Sequence, residues 1–118
     1  MTSYVAHEPN KLLSILDLQA MKQVGEKIAC LTAYDASFSR VVDQAGIDIM
    51  LVGDSLGMVI QGKETTVPVS IDEMVYHTQC VVKARKRSFV IADLPFLSYA
   101  TAESALKNSA KLMQAGGA

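Results

Sequence analysis

Two aspartates follow apolar runs that are typical of buried strands. Asp54 comes just after the run from Ile47 to Val52, and Asp93 follows the run from Ser88 to Ala92. A buried carboxylate is costly without a partner, and the carboxyl ends of parallel strands are where α/β proteins bind ligands. Mg²⁺ accepts a few carboxylates and keeps waters that a substrate displaces. We therefore predict that Asp54 and Asp93 share a magnesium site, in preference to each capping its own turn.

Other polar groups near these positions are weaker candidates. The backbone N–H groups of Ser55 and Gly57 follow Asp54 directly, and such groups can hold a substrate carboxylate; an ordinary turn explains them equally well. Tyr34 and Asp35 end the first predicted strand and could border the same pocket. Asp35 also suits the simpler role of N-cap of the next helix.

One further pair has the spacing of metal ligands on a helix. His77 lies four residues after Glu73, but a histidine on a helix surface or at an interface is the simpler interpretation. The sequence contains no GxGxxG, P-loop, CxxC or HExxH motif. The aspartate pair is therefore the principal candidate.

The elements that must position these residues alternate regularly. Apolar runs predict strands at 27–33, 47–53 and 88–92, each followed by a helix, and a short helix that begins after Ser14 precedes them. This alternation predicts a parallel sheet with the strands adjacent in chain order and the helices on its outer side. Between Ser55 and Val69, two β-prone pieces around a polar turn predict a small hairpin.

The helices show capping residues and apolar faces. Ser70 with Glu73 forms the sequence pattern of a capping box, and Thr101 is the predicted N-cap of the last helix. Helical spacing predicts three apolar faces, of which the second is expected to be buried. They comprise Phe38, Val41, Val42 and Ala45; Ile71, Met74, Val75, Thr78, Val81 and Val82; and Ala102, Leu106, Ala110 and Met113.

Composition excludes several classes of protein. Half of the 118 residues are hydrophobic, 19% are charged and the net charge is −1. These values argue against disorder and against a nucleic-acid or anionic-membrane surface, which needs a basic excess.

The basic run from Lys83 to Arg87 is expected to complement a helix dipole. Cys30 and Cys80 are expected to be reduced and packed. With no signal peptide or membrane span in view, we expect a cytoplasmic protein.

Five short segments together resemble one enzyme family, ketopantoate hydroxymethyltransferase. In order and with compatible spacing they are Thr32-Ala33-Tyr34-Asp35, Leu51-Val52-Gly53-Asp54-Ser55-Leu56-Gly57-Met58, Gln61-Gly62 with Pro68-Val69, Tyr76-His77-Thr78 and Ala92-Asp93-Leu94-Pro95-Phe96. The resemblance covers the chain from about Ser14 onward. The set is specific, whereas Gly-Asp-Ser alone would not be.

The resemblance implies a (βα)₈ TIM barrel, of which residues 1–118 would be the N-terminal portion, with 1–13 a loose lead-in. A whole barrel needs roughly 250 residues, so a leading helix and about three βα units are present. The positions matching Asp54 and Asp93 would bind Mg²⁺ and, with Ser55, the substrate 3-methyl-2-oxobutanoate. The donor would be 5,10-methylenetetrahydrofolate and the intermediate a magnesium-stabilised enolate. The base and a third metal ligand would lie beyond Ala118, and the family implies a homo-oligomer, often a decamer.

Three other interpretations stay open. A related barrel could be a magnesium-dependent lyase or mutase of oxo acids, without folate. A phosphoacceptor receiver domain has a similar length, but it needs five βα units and an acidic pair closing its first strand, where this chain has Thr32 and Ala33. Residues 1–118 could also be an inactive piece, because three parallel strands leave long apolar edges.

Overall fold

A computed structural model describes residues 11–118 of the chain. Three strands alternate with helices after a leading helix, in the predicted order. The elements are α1 (Ile15–Gln23), β1 (Cys30–Thr32), α2 (Ala36–Gln44), β2 (Ile49–Val52), α3 (Leu56–Val59), α4 (Ile71–Ala84), β3 (Phe89–Ala92) and α5 (Ala102–Gln114).

The three strands form one parallel sheet in the order β1–β2–β3. Beyond the strands, Ala33 N donates to Leu51 O at 3.1 Å and Asp93 N donates to Val52 O at 3.0 Å. These bonds align the carboxyl ends of the strands along one edge of the sheet. The predicted parallel order is therefore confirmed, although each strand is shorter than its apolar run.

The core lies between the sheet and α4. Met50 and Val52 of β2 and Met74 and Val81 of α4 are fully buried, because side chains of a strand alternate between its two faces and this face meets the helix. The opposite face is only partly covered, since Ile91, the register partner of Leu51, is 41% exposed.

The capping predictions are largely confirmed. Ser14 and Asp17 form a full capping box at α1, and Thr101 accepts from Ser104 N at the start of α5. Ser70 accepts from Glu73 N at 3.1 Å. The Glu73 carboxylate does not return to Ser70 but bonds Gln61, so only half of the predicted box at α4 forms.

Of the three predicted apolar faces, that of α4 is buried as predicted, whereas those of α2 and α5 are largely exposed. In α2, Phe38 and Val41 are 65% and 63% exposed; the buried residue Ser39 instead donates to Val81 O at 2.6 Å. In α5, Leu106 is 74% exposed and Met113 64%, whereas Leu112 is buried. Helical spacing identifies an apolar face, but it does not identify what that face packs against.

The predicted hairpin between Ser55 and Val69 is wrong. Met58 and Val59 belong to α3, and Ile60 N closes the turn on Leu56 O at 2.9 Å. Residues 60–69 then run as turns and bends to α4. The β-branched residues that suggested a strand find no strand partner here, so local helical bonds prevail.

At the amino ends of the strands, buried charges join α2, β2 and β3. Asp43 Oδ1 accepts from Arg87 N and Ser88 N at 3.0 and 2.8 Å, and Arg87 forms a buried ion pair with Asp48 at 2.7 Å. Arg87 also donates to Gly46 O at 3.2 Å. This residue of the basic run therefore bonds the end of α2, not that of α4, which corrects the prediction in part.

Residues 1–10 of the predicted lead-in lie outside the described residues. Leu13, at the end of that stretch, is buried and its N–H donates to Arg87 O at 2.8 Å. Both cysteines are free, as predicted, but Cys30 is exposed and not packed. Within residues 11–118, no helix has the length and apolar character needed to cross a membrane.

Candidate active site at the carboxyl ends of the strands

The two predicted aspartates meet at one end of the sheet. Asp54 follows β2 after one intervening residue, Gly53, and Asp93 directly follows β3. Oδ2 of Asp93 accepts a hydrogen bond from Asp54 N at 3.1 Å, across 39 residues of sequence. Both residues are half-buried. The structure therefore brings both carboxylates to one edge, as the strand pattern predicts.

Gly53 lets the two aspartates and Ser55 approach one another. A Cβ on Gly53 would lie 3.2 Å from Ser55 Oγ and 3.3 Å from Asp93 Oδ2, closer than such contacts usually are. A side chain here would push against both oxygens. The glycine in Gly-Asp-Ser is therefore a requirement of packing at the site.

Ser55 is held from the first strand. Its Oγ lies 2.8 Å from the hydroxyl of Tyr34, and either atom can be the donor. The backbone carbonyl of Tyr34 in turn lies 2.8 Å from His77 Nδ1. A chain of contacts thus links α4, the turn after β1 and the turn after β2.

Tyr34 and Asp35 both line a pocket, of about 260 Å³, that Phe38 and Ile60 complete on its apolar side. Tyr34 connects this pocket to Ser55 through its hydroxyl, although neither Asp54 nor Asp93 is among the lining residues. Asp35 is the N-cap of α2 and accepts from Phe38 N at 2.8 Å. The capping role predicted for Asp35 is therefore confirmed.

Gly57 does not offer the N–H group that the sequence suggested. Its N–H donates to Asp54 O at 3.0 Å, within the turn that begins α3. A Cβ at Gly57 would lie only 2.5 Å from Val69 Cγ2, so the residue allows close packing of the turn on the segment before α4.

Glu73 and His77 each bond a different neighbouring segment. Glu73 Oε2 accepts from Gln61 Nε2 at 2.7 Å and lies 3.9 Å from Lys63 Nζ. The hydrogen bond from Gln61 holds the pKa of Glu73 below its ordinary value, with a smaller contribution from Lys63 and against the opposing effect of burial. His77 is engaged with Tyr34 O. Both therefore secure neighbouring segments.

The donor atoms at the site suit a hard cation. Carboxylate oxygens of Asp54 and Asp93, next to a serine hydroxyl, are the ligand type that Mg²⁺ prefers, and Mg²⁺ retains water at its other positions. No group of three or more His, Cys, Asp or Glu side chains capable of holding a metal occurs among residues 11–118. The described residues therefore fit Mg²⁺ as a two-carboxylate site completed by other ligands.

Sequence reasoning missed the contacts of Tyr34. The bond to Ser55 joins residues that are 21 positions apart, and the bond to His77 spans 43. One signal was present, because Tyr34 follows β1 as Asp54 follows β2. Residues at equivalent strand ends lie at the same edge of a parallel sheet.

Comparisons with known proteins identify the family. The model of the ketopantoate hydroxymethyltransferase family matches residues 13–118. The chain belongs to this family. It is 61% identical over 101 residues to the 3-methyl-2-oxobutanoate hydroxymethyltransferase of Alkalilimnicola ehrlichii, covering 86% of this chain and 36% of the relative. The enzyme of the same name from Methylococcus capsulatus is 59% identical, covering 90% and 39%.

A third relative, from a Janthinobacterium species, is 53% identical over 98% of this chain and 43% of its own length, and has the same name. The chain therefore spans about two fifths of the length of these relatives. The family assignment confirms the predicted resemblance. The parallel sheet with helices agrees with part of a barrel.

Proposed function

We propose that the protein to which this chain belongs transfers a hydroxymethyl group from 5,10-methylenetetrahydrofolate to 3-methyl-2-oxobutanoate and so produces ketopantoate for pantothenate synthesis. The three βα units would be the first part of a (βα)₈ barrel, in the cytoplasm and in a homo-oligomer. The partly covered sheet face at Ile91 supports this view, because the interior of such a barrel is filled by side chains from further strands.

The observation that carries the proposal is the contact of Asp93 with the backbone of Asp54, beside Ser55. Asp54 and Asp93 would hold Mg²⁺, which when bound would stabilise negative charge on the keto oxygen of the substrate. The carboxylate oxygens of these two residues are the ligand type that Mg²⁺ prefers.

Ser55 would bind the other end of the keto acid. Its hydroxyl can donate to the substrate carboxylate, which only accepts hydrogen bonds. Held at both ends, the substrate would present C3 to a base and then to the one-carbon donor. The base belongs to the remaining part of the barrel in this proposal.

The test uses a full-length chimera, in which residues 1–118 are joined to the remaining part of the Alkalilimnicola ehrlichii relative. We expect Mg²⁺-dependent deuterium exchange at C3 of 3-methyl-2-oxobutanoate, and ketopantoate when 5,10-methylenetetrahydrofolate is added. Asp54→Asn and Asp93→Asn should each reduce exchange by at least about 10²-fold, since a metal contributes several kcal/mol to such steps.

Asp72→Asn is the matched control, because Asp72 is exposed in the first turn of α4. It should retain the exchange rate. Exchange that survives Asp54→Asn and Asp93→Asn would contradict the proposed metal site. Exchange without any transfer from the folate donor would instead favour an oxo-acid lyase or mutase.

A further inference from the structure

Tyr34 occupies a position that the proposed chemistry leaves without a role. Its hydroxyl lies 2.8 Å from Ser55 Oγ, and its carbonyl lies 2.8 Å from His77 Nδ1. We infer that Tyr34 is a positioning residue, which orients the Ser55 hydroxyl toward the carboxylate of the bound 2-oxo acid, and that His77 fixes Tyr34 for this purpose. The inference rests on the proposed function and deepens it.

The chemistry of the ligand fixes the direction of the hydrogen bonds. A carboxylate can only accept hydrogen bonds, so the Ser55 hydroxyl must be the donor in its hydrogen bond to the substrate. In the hydrogen bond between Tyr34 and Ser55, the Tyr34 hydroxyl must then be the donor, because the Ser55 hydrogen is already used. Tyr34 therefore donates to Ser55 in the bound state, and Ser55 donates to the substrate.

Two hydrogen bonds in series strengthen each other. A hydroxyl that accepts a hydrogen bond becomes a better donor, and the effect is larger in partly buried surroundings. Tyr34 and Ser55 are both half-buried. Without Tyr34, the Ser55 hydroxyl loses its donor and its preferred direction, since a serine O–H otherwise rotates to suit whichever acceptor is near.

His77 secures the backbone from which Tyr34 extends. A backbone carbonyl only accepts, so Nδ1 of His77 carries the proton in this bond. The bond ties the turn between β1 and α2 to the body of α4. Tyr34 is thereby held at its backbone by α4 and at its hydroxyl by the turn after β2.

The alternative is that these bonds only stabilise the turn. A double-mutant cycle separates the two, because a residue that acts through Ser55 has no further effect once the Ser55 hydroxyl is gone. The variants are Tyr34→Phe, Ser55→Ala and the double variant, all in the full-length chimera. Tyr76→Phe is the matched control, since Tyr76 is 62% exposed on α4.

We expect Tyr34→Phe to raise KM for 3-methyl-2-oxobutanoate about tenfold, as for loss of one hydrogen bond to a charged acceptor network, with a smaller change in kcat. The Mg²⁺ concentration for half-maximal exchange should stay within about twofold, because the aspartates are untouched. In the Ser55→Ala background, Tyr34→Phe should have no added effect. His77→Leu should raise KM in the same direction, and His77→Asn, which keeps a donor, should recover most of the loss.

Three results would overturn the inference. One is a KM for Tyr34→Phe equal to that of the active chimera. Another is an equal loss with and without Ser55→Ala, and the third is a parallel loss of Mg²⁺ dependence. A chimera with all native residues that shows no exchange would overturn the proposed function itself, and this inference with it; the unmutated arm therefore distinguishes the two failures.

Discussion

Oδ2 of Asp93 accepts a hydrogen bond from the backbone N–H of Asp54 at 3.1 Å. The contact joins the ends of β2 and β3 and occurs directly beside Gly53, which has no Cβ to separate them. The position of the Asp93 carboxylate thus depends on the backbone that carries Asp54. Changes that disturb this backbone should affect the site more than they affect the fold.

Gly53→Ala is the direct test of that dependence. The new Cβ would lie 3.2 Å from Ser55 Oγ and 3.3 Å from Asp93 Oδ2, so both groups must move. We expect at least about tenfold weaker binding of 3-methyl-2-oxobutanoate with Mg²⁺ in the full-length chimera, since tight contacts there cost about 1–3 kcal/mol.

Gly62→Ala is the comparison for Gly53→Ala. Gly62 has a φ of 73° with open space around it, so alanine there costs stability of about 1–2 kcal/mol without touching the site. Equal binding losses in the two variants, measured by calorimetry, would mean that the Gly53 effect is a general loss of stability.

Asp43 should make the stability of the chain sensitive to acid. Burial alone would raise the pKa of Asp43, but the backbone N–H groups of Ser88, Lys86 and Arg87 and the Ser88 hydroxyl outweigh it and lower the pKa. The carboxylate therefore stabilises the fold fully above the unfolded pKa of about 3.9. This contribution is lost as the pH falls through the lower pKa of the folded state.

Asp43→Asn should reduce the free energy of unfolding at pH 7 by about 2–3 kcal/mol, because an amide N–H₂ would face backbone donors. The variant should also lose part of the acid dependence of stability below about pH 4. Urea denaturation at a series of pH values measures both. The exposed Asp72→Asn serves as the control, and an acid dependence unchanged by Asp43→Asn would contradict the assignment.

The sequence predicted the sheet well because its signals are local. The apolar runs before Asp54 and Asp93 and the alternation with helices are sufficient to predict parallel strands in chain order. Strand ends at one edge then bring the two aspartates together. The contact between Tyr34 and Ser55 depends on the distance in space between the ends of β1 and β2. The spacing of residues along the chain does not determine that distance.

The failures come from residues whose partners are not apparent locally. Phe38 and Val41 form an apolar stripe of α2 but are exposed, while Ser39 packs against α4 through a hydrogen bond to Val81 O. Val59 and Ile60 are β-branched residues that are common in strands, yet the turn after Asp54 closes into α3 through local hydrogen bonds. In α2 a tertiary contact decides which residue is buried, whereas in α3 local hydrogen bonds prevail over the preference for strands.

Arg87 should be the most costly charged residue to replace at the amino ends of the strands. It is 7% exposed and its guanidinium lies 2.7 Å from Asp48 Oδ1. Arg87→Met would leave the Asp48 carboxylate buried without its cation, at a cost of about 3–5 kcal/mol. The neighbouring Lys86→Met removes the same charge from an exposed side chain and should change stability by less than about 0.5 kcal/mol. Similar urea midpoints for the two variants would contradict the prediction.

Glu73 should control the mobility of the segment between α3 and α4. It bonds Gln61 at 2.7 Å, and Lys63 N in the same segment donates to Gly57 O at 2.8 Å. Because the pKa of Glu73 is lowered mainly by Gln61, the hydrogen bond between Glu73 and Gln61 should be at full strength above the unfolded pKa of about 4.3. It should weaken as the pH falls through the lower pKa of the folded state.

Glu73→Gln should reproduce that weakening at neutral pH. We expect hydrogen exchange of the amides at 61–63 to become about three- to tenfold faster, a modest effect because the pair is partly exposed to solvent. Glu103→Gln, which removes a carboxylate from the first turn of α5, should leave these amides unchanged. Unchanged exchange in Glu73→Gln would show that the segment is held by its backbone bonds alone.

Residues 1–118 alone should not catalyse exchange at C3 of 3-methyl-2-oxobutanoate at the rate of the full-length chimera. Among the described residues, the three acid–base candidates besides the aspartate pair are already engaged: Asp35 caps α2, Glu73 bonds Gln61 and His77 bonds Tyr34 O. Losing a general base costs about 10²–10⁴-fold, and no third carboxylate among residues 11–118 completes the metal site. The measurement compares deuterium uptake with saturating Mg²⁺ in both proteins, with Asp54→Asn as the control for background exchange. Equal rates in the short chain and the chimera would show that one of these three engaged residues is released to act as the base.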